Sequence, residues 1–113
     1  DDVRIVGCDI YGCGLHGINA SDSSFTADSC IIRDCSDHGA LIWASDGVFN
    51  DCTFSRNCYK TPSNPLFDVS DSSSSVTLNN CLLQYNLSQS KYLRNDGAEW
   101  SENNTTESGN AWQ

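Results

Sequence analysis

VGCDIYGCGLHGI, residues 6–18, is nearly copied as DSCIIRDCSDHGA, residues 28–40. Taken alone, the first stretch resembles a redox or catalytic box: two cysteines, then a His-Gly pair, then an apolar residue. The second copy changes that. Cys8, Cys30 and Cys52 step by 22 residues, and so do Cys13 and Cys35, His16 and His38, Gly17 and Gly39, and Ile10, Ile32 and Phe54. A fixed period of this length is the mark of a stacked repeat. A third rung opens as GVFNDCTFSRNCYK (47–60). The pattern returns as VTLNNCLLQYN (76–86) and faintly as AEWSENNTTES (98–108). In that last copy, Asn103 is expected at the cysteine position and Trp100 at the Leu78 position.

Within each rung the apolar residues alternate. Cys8 and Ile10 point one way, Asp9 and Tyr11 the other, and Cys30/Ile32 and Cys52/Phe54 repeat the arrangement. A second pair lies upstream (Val3/Ile5, Phe25/Ala27, Val76/Leu78), and a third follows the His-Gly (Ile18/Ala20, Ala40/Ile42, Phe67/Val69). Period-2 alternation over three or four residues means short strands. Three strands per rung with polar turns between them predict an all-β parallel solenoid of about 22 residues per rung and roughly five rungs, ~20–25 Å tall.

These rungs, with Gly, Ser, Asp or Asn before each ladder cysteine, resemble the single-stranded right-handed parallel β-helix of the pectate-lyase type. The resemblance covers nearly the whole chain and implies parallel stacking of identical positions. Residues 1–86 form the rungs. Residues 87–113 are a weak terminal rung or a cap, with Trp100 and Trp112 as lids. The chain has 113 residues and no Met, and it opens on Asp1-Asp2, so it reads as a segment of a longer protein.

The period breaks once: Cys52 and Cys81 are 29 apart. YKTPSNP (59–65) replaces the His-Gly, and SDSSSS (70–75) lengthens a turn. Insertions at turns are how solenoids build loops beside a binding face.

Composition narrows the function. A net charge of −9 with only six Lys and Arg opposes nucleic acid and anionic membrane surfaces as partners. No apolar run approaches the ~20 residues of a membrane span. The seven cysteines do not have zinc spacing, because a ladder of stacked thiols diverges along a line where zinc needs four converging ligands. They read as free, buried, small apolar groups, which fits folding in a reducing compartment. Cys58 lies off the ladder and is expected at the surface. The sequons at Asn19, Asn86 and Asn104 are at chance level in so Asn- and Ser-rich a chain.

CGLHGI (13–18) is similar to a stretch of polygalacturonase-like glycoside hydrolases, where the histidine assists a set of aspartates. The partner motifs of that family are absent here, and the histidine recurs at the next rung. His16 and His38 are therefore expected to stack at a turn whose geometry Gly17 and Gly39 supply. Glycoside hydrolysis needs two flanking carboxylates, and none of Asp9, Asp22, Asp34, Asp37, Asp46 or Asp68 sits in a motif specific enough to name. No cofactor is expected. A calcium ion, which related lyases hold on aspartate clusters, has no motif here.

A carbohydrate-binding wall fits better than a catalytic centre. Trp43, Tyr11, Asp9, Arg33 and Asn19 are expected to point outward, the rings to stack on sugar C–H faces and the polar groups to bind hydroxyls. The competing reading covers the outward Leu41, Trp43, Ile31 and Leu82 with a neighbouring subunit. The resemblance by style is to phage tailspikes: an extracellular or virion-surface protein that recognises polysaccharide, often as a homotrimer. A polysaccharide lyase, hydrolase or epimerase with its own site here, and a purely structural β-helix, are the alternatives.

Overall fold

The computed structural model describes residues 2–113. Fourteen strands follow in chain order among them: β1 (Asp2–Val6), β2 (Asp9–Tyr11), β3 (Ile18–Ser21), β4 (Ser24–Asp28), β5 (Ile31–Arg33), β6 (Ala40–Trp43), β7 (Asp46–Asn50), β8 (Thr53–Ser55), β9 (Pro65–Ser70), β10 (Ser75–Asn79), β11 (Leu82–Gln84), β12 (Ser90–Asn95), β13 (Glu99–Asn103) and β14 (Thr106–Ser108). Every third strand joins the same sheet. The first sheet is β1-β4-β7-β10-β13, the second β2-β5-β8-β11-β14 and the third β3-β6-β9-β12. All pairings are parallel. The chain is an all-β parallel solenoid.

Its turns are not uniform. The register carries Asp2 to Ser24 and Ser24 to Asp46, 22 residues each, then Asp46 to Ser75, 29, and Ser75 to Glu99, 24. Four turns are complete and β13 and β14 open a fifth. The long third turn gains residues in two places. Ser55 to Phe67 spans 12 steps where Arg33 to Ala40 spans 7, and Ser70 to Ser75 spans 5 where Trp43 to Asp46 spans 3. These are the 59–65 and 70–75 segments. The fourth turn also gains two residues, which shifts the expected register of the last rung. Trp100 pairs with Val76 rather than Leu78, and Asn103 with Asn79. Thr105, not Asn103, then takes the cysteine position.

Each strand is followed by a residue with positive φ, and β12 by two, Asp96 and Gly97. After the first-sheet strands these are Gly7, Ser29, Asp51, Asn80 and Asn104; after the second, Gly12, Asp34, Arg56, Tyr85 and Gly109; after the third, Asp22, Ala44, Asp71 and Asp96. A left-handed residue turns the chain sharply, and Asn and Asp tolerate it best after Gly. Five aspartates and two asparagines are therefore corner residues. The His-Gly glycines work differently. Neither has positive φ. A Cβ on Gly17 would lie 2.5 Å from Ile32 Cγ2, and one on Gly39 2.8 Å from Leu66 Cδ1. They are glycines because neighbouring rungs pack against their Cα atoms, not for turn geometry.

The alternating inward residues fill the coil. An aromatic column runs up its axis: Phe25 to Phe49 at 5.5 Å between centroids, Phe49 to Phe54 at 5.2 Å, Phe54 to Phe67 at 4.7 Å, and Phe67 to Trp100 at 5.0 Å. Beside it stands a polar ladder that continues Cys13 and Cys35 as Asn57, Asn86 and Asn110. Asn57 Nδ2 donates to Ile32 O at 3.0 Å, Asn86 Nδ2 to Phe54 O at 3.0 Å, and Asn110 Nδ2 to Leu83 O at 2.7 Å. Each Asn Oδ1 in turn accepts the backbone N–H of the residue one rung back. Asn86 is fully buried, so its sequon cannot be an acceptor site in the folded chain.

All seven cysteines are free. Cys30, Cys52 and Cys81 point inward and donate to carbonyls of the previous rung, Ile5, Ala27 and Phe49, at 3.3–3.5 Å. Cys58 is buried as well, contrary to the surface position expected from its place off the ladder. The chain folds it under the 59–65 loop, where Sγ donates to Pro65 O at 3.6 Å. Burial pushes the Cys58 and Cys35 thiols up to about 12, which removes the reactive thiolate. A thiol reagent is therefore expected to modify exposed Cys8 first and half-buried Cys13 slowly. The other five should react only in denaturant. Rapid native labelling at Cys58 or Cys52 would contradict this packing.

Candidate functional site

Strand alternation sends one set of third-sheet residues to the outer face. Asn19, Leu41 and Asp68 form one row in register, and Ser21, Trp43 and Ser70 the next. Trp43 is 49% exposed and stands mid-sheet, with hydrogen-bonding side chains on the rungs before and after it. Asn19 lies on this same face, exposed.

Asp9, Tyr11 and Arg33 lie elsewhere, on the outer face of the second sheet. They do meet one another. Arg33 grips Asp9 with two bonds of 3.0 Å, Nε to Oδ1 and Nη2 to Oδ2, and its guanidinium lies 4.3 Å from the Tyr11 ring centroid. Its Nη1 also bonds Asp34 at 3.0 Å, and Arg56 reaches the same Asp34 at 2.9 Å. Both arginines are held above their usual pKa by these carboxylates, and Asp34 below its own, chiefly by the Arg56 bond. The charges are spent on one another, so this face is an ion-pair ladder with the exposed Tyr11 ring stacked on its first step. The five candidate residues thus divide between two faces.

A third arrangement joins the second and third sheets. The ring centroids of His16 and His38 are 5.0 Å apart and nearly parallel, as the repeat predicts. The stack leads to two carboxylates. His38 Nε2 is 3.7 Å from Asp37 and 3.7 Å from Asp68, and His16 Nδ1 is 3.9 Å from Asp37. The inserted loop supplies Thr61 and Asn64, which donate to Asp37 Oδ1 at 2.8 and 2.9 Å. Burial alone would raise the Asp37 carboxyl, but these bonds and the two imidazoles hold it below its usual value. His16 is lowered, first by burial and then by His38, against the pull of Asp37 and Asp68. Asp68 belongs to the row that flanks Trp43, so the cluster sits at one end of the tryptophan face. A concavity of about 630 Å³ lies elsewhere, along the first sheet beside Arg4 and Asp28. It offers no half-exposed ring, and Arg4 is already bonded to Asp28.

The family described as the right-handed β-helix region matches residues 1–111. The chain belongs to the right-handed β-helix family. No curated protein and no solved structure matches it. Within this β-helix, the recurrence of His-Gly announced the histidine stack. The carboxylate partners were hidden, because Asp68 reaches His38 only through the insertion, out of step with the 22-residue period. Thr61 and Asn64 carry no repeat signal at all. The recurring His-Gly of 16–17 and 38–39, replaced at the next rung by a Pro-containing loop, was the one available clue.

Proposed function

We propose that this β-helix recognises polysaccharide along the outer face of its third sheet, on a virion or cell exterior. The half-exposed Trp43 ring, set among Asn19, Ser21, Asp68 and Ser70, carries the reading. A flat indole stacks on pyranose C–H groups while amide, hydroxyl and carboxylate groups bind the sugar hydroxyls. The acidic chain favours a neutral glycan over a polyanionic one. Trp43→Ala is expected to weaken binding at least about tenfold, with the melting temperature unchanged because the ring is not core. A glycan array followed by calorimetry on the best hit measures it. Binding indifferent to Trp43, or no glycan bound, overturns the proposal. Loss of a trimer in Trp43→Ala would place the ring in a subunit interface instead.

One observation favours a second reading, a polysaccharide-cleaving enzyme: Asp37 and Asp68 converge on His38 at the end of the same face. Release of new sugar ends by the wild type, abolished in Asp68→Asn, would establish it.

A further inference from the structure

We propose that His16, Asp37, His38 and Asp68 hold one divalent transition-metal ion. The proposal does not depend on the glycan reading. It begins with the direction of the His38 ring. Nδ1 lies 2.6 Å from Pro65 O. A carbonyl oxygen only accepts, so Nδ1 carries the hydrogen and, in the neutral ring, Nε2 presents a lone pair. That lone pair faces two carboxylate oxygens at 3.7 Å, beyond hydrogen-bond reach. Nearby, His16 Nδ1 is buried and has no hydrogen-bond partner. Asp37 Oδ1 has donors of its own in Thr61 and Asn64, but the unpartnered His16 Nδ1 beside it is costly in a half-buried place unless a cation sits between.

The surroundings are those of a ligand set. Metal-bound histidines usually donate their second ring nitrogen to a carbonyl or carboxylate, and bound carboxylates are themselves hydrogen-bonded. Here Pro65 O orients His38, and Thr61 and Asn64 hold Asp37 Oδ1. Asp37 Oδ2 is left facing His16. One donor atom each from His16, Asp37 and His38 lies within 4.8 Å of the others. Tetrahedral ligands at bonds of about 2.1 Å stand about 3.4 Å apart, so modest side-chain rotations close the site. Asp68 supplies a fourth donor from the solvent side. Two imidazoles with carboxylates suit zinc, cobalt, nickel or iron, whereas calcium takes oxygen alone.

The test is titration of the whole chain, stripped with chelator and kept reduced, with Co²⁺ and then Zn²⁺. One equivalent of Co²⁺ should bind with visible ligand-field bands and no thiolate charge-transfer band, and Zn²⁺ should displace it. Asp37→Asn and His16→Gln should each weaken binding at least about 30-fold, and Asn64→Ala, in the supporting loop, about tenfold. Circular dichroism of the metal-free variants checks their folding. Where His16→Gln does not fold, Asn64→Ala and Asp68→Asn decide. The absence of stoichiometric binding, a thiolate band lost in Cys8→Ser, or affinity unmoved by Asp37→Asn and Asp68→Asn would each overturn the proposal.

Discussion

Asn86→Ala is expected to destabilise the protein by about 4 kcal/mol, read as a drop in urea midpoint at unchanged slope. The side chain bonds on both sides of its rung. Oδ1 accepts from Asn57 N at 3.1 Å and Asn57 Nδ2 at 3.1 Å, while Nδ2 donates to Phe54 O at 3.0 Å and Asn110 Oδ1 at 2.8 Å. The partners stay buried when the amide is removed. Asn57 and Asn86 have no solvent exposure, so water cannot replace the lost bonds without opening the core. A buried group left unpaired costs about 1–3 kcal/mol, and the Phe54 carbonyl and the Asn57 donors lose theirs together. Asn86→Asp should be no better, since it keeps the acceptor but loses the donor and buries a carboxyl. Asn110→Ala should cost less, because Asn110 has only one laddered neighbour, with Gln113 Oε1 on its other side at 2.8–2.9 Å. A loss below about 1 kcal/mol in Asn86→Ala would mean the ladder is ornament on a coil held by its phenylalanines alone.

The same ladder shows what the sequence could and could not reveal. Its first two steps, Cys13 and Cys35, share the 22-residue period and were visible. Its last three, Asn57, Asn86 and Asn110, change residue type and follow spacings of 22, 29 and 24, so no single period finds them. Strand alternation is a local property, and it identified inward Phe25, Ile42, Phe54 and Val69 correctly. Register across a lengthened turn is not local. That is why Trp100 was expected against Leu78 and stands against Val76, and why Asp68 was not connected with His38. Outwardness was legible for Trp43 and Arg33 alike. What Arg33 does once outside, namely neutralise Asp9 and Asp34, depended on which rung-neighbours lie beside it. The polysaccharide proposal therefore narrows to the Trp43 face.

Lys91→Met is expected to cost about 3 kcal/mol at neutral pH, and the deficit should shrink as the pH approaches 4. In the last layer of the coil, inward positions that hold Leu78 and Leu83 one rung earlier hold Glu102 and Glu107. Lys91 Nζ bridges them at 2.6–2.8 Å, and the indole N–H groups of Trp100 and Trp112 donate to the same carboxylates at 2.6 and 2.7 Å. Tyr92 stacks on Trp100 at 4.2 Å and covers the layer. Burial opposes the charge on Lys91, but its two carboxylate partners outweigh it and the amine's pKa is raised. Burial likewise opposes ionisation of Glu102, yet the Lys91 and Trp100 bonds hold its carboxyl below the usual value. A lowered carboxyl stabilises the fold above its unfolded value of about 4.3 and loses that contribution as the pH falls through the folded one; a raised amine stabilises below about 10.4 and loses it as the pH rises through the folded value. The cluster therefore contributes most between about pH 5 and 10. Removing Lys91 leaves two carboxylates only about one-quarter exposed without their cation, and breaking one partner of a buried pair costs about 3–5 kcal/mol. Their partial exposure places this case at the low end. As the pH falls toward 4, protonation relieves the unpaired charge in the variant and the deficit narrows, closing fully only below the lowered Glu102 value. Replacing Glu102 and Glu107 by Gln in the Lys91→Met background should recover most of the loss at pH 7. An equal deficit at both pH values would instead assign it to the packing of the lysine stem.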